Sequence, residues 1–181
     1  MLAYLQGLSL GLAYVAPIGV QNLFVINAGL SQPRAAAYRT ALIVIFFDVT
    51  LALAGFFGIG ALIEHSELIR KGVLLAGSLV VMYMGLRLML SREVAGPAIN
   101  VNIPLMKTIG MACVVTWFNP QAIIDVSLLL GSFRVALPPE ESGLFLWGVV
   151  CASCLWFLSL TTISSLFKNR FTPRLLRIIN L

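Results

Sequence analysis

Charge is what this sequence has least of. Only 10% of its 181 residues are Asp, Glu, Lys or Arg, while 60% are hydrophobic. An average soluble domain carries about 25% charge, and the mean hydropathy here is +0.99. A water-soluble fold is excluded, and the chain reads as an integral membrane protein. No charge precedes Arg34. The N-terminus therefore lacks the cationic region of a cleaved signal peptide and reads as a retained first span. Histidine occurs once, at His65, in a short polar link. A membrane-embedded hydrolase would need a deep His, or paired carboxylates with a nucleophile. Cysteine occurs three times, and Cys113, Cys151 and Cys154 all lie in apolar runs. They supply no disulfide framework. Cys151 and Cys154, at i and i+3, read first as small polarizable packing residues; a thiol–disulfide relay through them is the alternative. The basic residues are scattered over short links, so a net charge of +5 points to membrane topology and not to nucleic acid.

Apolar runs fill the rest. At roughly 20 residues per span, the length allows about five or six helices. Spans are expected near 2–28, 36–63, 68–90, 105–133 and 143–167, with LLRIINL starting a sixth. The fold class is all-α, a polytopic transmembrane bundle forming a single integral membrane domain over 1–181. Gly7 and Gly11 form a G-x-x-x-G pair suited to close helix contact, and Ala54, Gly55, Gly58 and Gly60 read as a second packing face. Nine Lys/Arg fall in the odd-numbered loops and three in the even ones. The positive-inside rule then puts the odd loops in the cytoplasm and the N-terminus outside.

One apolar run is unlike an anchor. APIGVQNLFVINAG (16–29) carries Pro17, Gly19, Gln21, Asn22 and Asn27. Pro17 has no N–H and its ring clashes with the preceding turn, so a helix must bend or break there; Gly19 suits the geometry of a break. Broken, polar backbone at membrane depth survives only where protein or a wet cavity surrounds it. A second interruption, Asn119-Pro120, falls inside the fourth span. Laid over each other at their prolines, PIGVQNLFVINAGL and PQAIIDVSLLLGSF set Asn22 opposite Asp125, each five residues past its proline. Interrupted spans at corresponding positions of two halves point to a midplane transport site. The expected arrangement is two inverted three-helix halves with broken first and fourth helices, the first repeat near 1–90 and the second near 105–181.

Five of the seven acidic residues lie in loops or at span ends; Asp48 and Asp125 do not. A charge at the bilayer centre costs about 2.5–3.5 kcal/mol on insertion scales, so such residues usually face a cavity. They are candidates for holding a cation, a proton, or each in turn; the bland reading pairs them with an amide such as Gln21 or Asn22. No Lys or Arg lies deep in a span to neutralise them, so the cation would come from outside the protein. A helix break also frees N–H groups that favour an anion. An amino acid, and best a basic one, has the ends such a site would bind. A metal cation fits poorly: soft metals want thiolate or imidazole ligands, and hard ones want more oxygens than two carboxylates supply.

APIGVQNLFVINAGL, the deep Asp48 and VTWFNPQAIIDVSLLLGSF together resemble the lysine exporter (LysE-type) amino-acid translocators, closest to the lysine/arginine branch. The resemblance covers nearly the whole chain. It implies an inner-membrane exporter of amino acids, not an enzyme and without a cofactor, with two inverted halves and protons as the coupling ion. It implies substrate-binding roles for Pro17, Gly19, Gln21, Asn22, Asp48, Asn119, Pro120 and Asp125. Val20, Phe47 and Gln121 stand where the family commonly has a second proline, a small hydroxyl residue and, in the arginine branch, a histidine. The family also completes a sixth span that this sequence only begins. The expectation is a truncated chain, a remnant, or one whose missing wall a partner supplies, which leaves a homo-oligomer open.

Overall fold

The structure is a computed structural model, and it describes residues 1–17, 19–58, 71 and 104–168. All regular structure among the described residues is helical. The elements are α1 (Leu2–Val15), α2 (Val20–Ser31), α3 (Arg34–Phe56), α4 (Leu105–Trp117), α5 (Pro120–Ala136), a 3-10 turn (Pro139–Glu141) and α6 (Ser142–Phe167). By length and composition α3 and the stretch Pro139–Phe167 can each cross a membrane, and the bent pair α1 and α2 passes the same test together, as a broken span or a re-entrant loop. The span expected near 68–90, the loop after it and the segment beyond Lys168 lie outside the described residues.

Both sequence breaks are helix breaks. Pro17 follows the end of α1, and α2 leaves at 80° to it. Asn119 separates α4 from α5, which starts on Pro120, the position where a missing N–H costs a helix nothing. α3 ends earlier than expected, at Phe56 instead of near 63. Gly58 explains the stop, since its φ of +103° continues the chain in a conformation that L side chains rarely adopt. Gly58 is therefore a turn glycine, with no atom of the described residues within 4 Å of where its Cβ would stand, and Gly60 lies outside the described residues. Gly55 does pack, its missing Cβ making room for Val126 of α5.

α6 gathers the bundle, touching α1, α2 and α3. Its contact with α1 is backbone against backbone. A Cβ on Gly7 would overlap the carbonyl of Phe145, and one on Gly148 would overlap the carbonyl of Tyr4 and lie 2.7 Å from the Leu8 nitrogen. Gly11 continues the seam, with Ala152 Cβ 2.6 Å from where its own Cβ would stand. Small residues win here because lipid tails are as apolar as leucine, so helices associate through close packing and not through burial from water. At the end of the bundle where α6 begins, the rings of Phe133, Phe145 and Phe56 stack at 5.4 and 5.6 Å. The Arg134 guanidinium sits 5.6 Å from both Phe56 and Phe57, with Nη1 3.4 Å from Ser142 Oγ. At the opposite end Lys168 Nζ donates to the carbonyls of Ser31 (3.3 Å) and Gln32 (2.9 Å). The first loop and the start of the fifth therefore share one end, as the charge pattern requires.

Candidate functional site

The α1–α2 break leaves specific backbone groups without partners. In an unbroken helix the Gly19 N–H would donate to the Val15 carbonyl and the Gln21 N–H to the Pro17 carbonyl. Asn22 replaces both. Its Nδ2 donates to Val15 O at 2.9 Å and to Pro17 O at 2.7 Å. Its Oδ1 accepts from the Trp156 indole N–H at 3.0 Å. An indole nitrogen only donates, which fixes which end of the amide faces it. Asn22 thus spends both donors on the break and its acceptor on α6.

Asp48 lies beside this device and is 1% exposed. Tyr14 Oη donates to its Oδ2 at 2.7 Å, Ser153 Oγ to the same oxygen at 2.6 Å, and Gln21 Nε2 to Oδ1 at 3.2 Å. Ser153 has a single hydrogen, and its other acceptor, the Val149 carbonyl, is farther at 3.3 Å, so Asp48 takes it. The three donors come from α1 before the break, from α2 after it and from α6. All three are neutral. Asp48 from α3 therefore pins both sides of the break and the helix packed across it.

The candidate residues separate into two groups. Gln21 pairs with Asp48, as the bland reading of a deep carboxylate anticipated, whereas Asn22 serves the backbone instead of the carboxylate. Pro17 contributes its carbonyl. Gly19 is the N-cap of α2, with φ −125° and ψ −174°. That is extended backbone open to any residue, so conformational freedom does not explain the glycine; no atom of the described residues lies within 4 Å of where its Cβ would stand. No side chain caps the N–H groups of the first turn of α2 among the described residues. Asn119 and Pro120 form the α4–α5 break, and Asp125 sits half-buried on α5. The hydrogen bonds that hold Asp48 come from α1, α2 and α6, not from this second break.

Sequence reasoning did not single out Tyr14, Ser153 and Trp156. Tyrosine, serine and tryptophan are ordinary in apolar spans; the signal available was the i, i+3 spacing of Ser153 and Trp156, which puts both on one face of α6. Cys151 and Cys154 are free thiols on the same helix, both half-buried. Among the described residues no cluster of three or more His, Cys, Asp or Glu could hold a metal ion.

A buried, neutrally held carboxylate beside a braced helix break is set within a sequence that matches the LysE type translocator family model over residues 12–181. The chain belongs to the LysE-type translocator family. It is a multi-pass membrane transporter and not an enzyme. It is similar to the arginine exporter protein ArgO of Pectobacterium atrosepticum, 31% identical over 182 residues, covering 98% of this chain and 88% of that one. The arginine exporter protein ArgO of Escherichia coli (strain K12) is 33% identical over 189 residues, covering 98% and 86%. No solved structure matches.

Proposed function

We propose that this LysE-type chain exports a basic amino acid, arginine or lysine, across the inner membrane, coupled to the proton gradient. The observation that carries the reading is Asp48, a carboxylate at membrane depth whose donors among the described residues are all neutral. Such a group is costly unless it serves a mobile cation or proton. The first turn of α2, without a side-chain cap, supplies an electropositive end for the substrate carboxylate. Asp48 supplies the ammonium end. Asn119, Pro120 and Asp125, at the second break, would form the opposing wall of the inverted half and take the second positive charge of a basic substrate. The arginine-exporter names of the relatives support this substrate class. Protons enter because a carboxyl that exchanges cation for proton needs no further coupling group.

The test is efflux of radiolabelled arginine and lysine from cells lacking their own basic amino-acid exporters, with and without a protonophore. Expression of the chain should raise efflux, and the protonophore should abolish the increment. Asp48→Asn keeps the shape and should reduce efflux at least about a hundredfold, the size expected when an essential charge contact worth roughly 3 kcal/mol is lost. Wild-type efflux in Asp48→Asn, with the protein present in the membrane at normal level, overturns the assignment.

A further inference from the structure

The geometry points to Ser153 and Trp156 as positioning residues that tie the occupancy of Asp48 to the angle of the α1–α2 break. This rests on the transport reading for its meaning, though not for its test. The two side chains stand on the same face of α6. Ser153 donates to Asp48 at 2.6 Å and Trp156 to Asn22 at 3.0 Å. Asn22 in turn holds the last carbonyls of the first half-helix through Val15 and Pro17, while Asp48 holds Tyr14 before the break and Gln21 after it. Among the described residues these braces on the break run to Asp48 or to α6, and α6 reaches both Asp48 and Asn22.

The consequence is mechanical. A cation that takes the Asp48 oxygens must displace the Tyr14, Ser153 or Gln21 donors, since those oxygens are enclosed. Losing the Ser153 bond frees α6 beside Asp48, and Trp156 transmits that movement to Asn22. The break then loses the amide that stands in for its two missing backbone donors. α6 moves in this as one body with α1, because their seam at Gly7, Gly11 and Gly148 leaves no slack between the two backbones. Neither residue is argued to touch substrate. Each acts through another, Ser153 through Asp48 and Trp156 through Asn22.

Two measurements on the full chain decide it. The first is hydrogen–deuterium exchange of the peptide spanning 14–23 in detergent, which needs no substrate. Ser153→Ala and Trp156→Phe should each raise exchange there at least about fivefold. Ser153→Thr, which keeps the hydroxyl, should stay near wild type. Asp48→Asn should raise exchange more than Ser153→Ala, because it also disturbs the Tyr14 and Gln21 bonds, and the two changes combined should fall short of additive, since they share the Ser153 tie. The second is arginine counterflow in proteoliposomes. Ser153→Ala and Trp156→Phe should lower the maximal rate about tenfold with the half-saturating concentration changed less than about twofold, and the double variant should match the worse single one. Break exchange unchanged by both single variants, or rate losses that multiply in the double variant, overturns the proposal. A wild-type chain that moves no arginine or lysine defeats the transport reading instead, and the exchange experiment still decides this one. Variants absent from the membrane fraction are replaced by Ser153→Cys and Trp156→His, which keep a donor and should fall between wild type and the deletions in break exchange.

Discussion

At the scale of single residues, Asn22 shows what membrane depth demands of a broken helix. No water is at hand to satisfy backbone carbonyls, so a side chain must do it. The Asn22 amide meets Val15 O and Pro17 O with its two hydrogens. Asn22→Leu keeps the volume and removes both donors. An unsatisfied buried polar group costs about 1–3 kcal/mol, so the variant should lose roughly 2–6 kcal/mol, read as a lowered unfolding midpoint in detergent. A midpoint within error of wild type would show that water reaches the break. Pro17, Gln21, Asn22 and Asp48 were legible in the sequence because each is out of place in an apolar run. Tyr14, Ser153 and Trp156 were not, because each is at home there, and only tertiary contact turns them into partners of Asp48 and Asn22. Gly19 was legible as a special position, but not for its backbone, which is extended and open to any residue.

At the scale of elements, glycine has two uses that substitution separates. Gly148 lies in the α1–α6 seam, where a Cβ meets backbone that cannot turn aside. Gly148→Ala should cost roughly 1–3 kcal/mol, the usual penalty for overpacking a close contact, and should lower the thermal midpoint in detergent. Gly19→Ala meets nothing within 4 Å. It should leave that midpoint unchanged while reducing arginine efflux several-fold, because its methyl group narrows the approach to the first turn of α2. Equal stability losses in the two variants would mean that Gly19 is a packing residue after all. The G-x-x-x-G spacing of Gly7 and Gly11 announced the seam. Nothing announced that Gly148 answers it from α6, since pairing between distant segments leaves no trace in local pattern. The end of α3 was misplaced for a related reason: the apolar run continues past Phe56, and hydropathy is blind to the positive φ at Gly58 that ends the helix.

At the scale of the molecule, the two ends of α6 mark the two ends of the bundle. Lys168 bonds the carbonyls of Ser31 and Gln32 at one end, and Arg134 and Ser142 meet at the other. The all-helical class, the two breaks and the shared end of the first loop and the start of the fifth followed from composition and charge. The directions in which the half-helices leave their breaks did not, because 80° between α1 and α2 is set by packing against α6. With Cys113, Cys151 and Cys154 replaced by alanine, a membrane-impermeant maleimide should label Glu140→Cys in intact cells and Ser31→Cys only after permeabilisation. The reverse pattern would place the N-terminus in the cytoplasm.

The neutrality of the donors around Asp48 also decides where the membrane potential acts on a working cycle. When Asp48 is ionised, Tyr14, Gln21 and Ser153 stabilise its charge without cancelling it. A singly charged cation seated on it makes the loaded centre neutral, whereas the empty centre keeps a full negative charge. Each elementary charge carried through 100 mV is worth about 2.3 kcal/mol. The proton that replaces the cation in the proposed exchange neutralises the centre again, so voltage would leave both crossings almost untouched and penalise only a slip in which the carrier crosses with neither on Asp48.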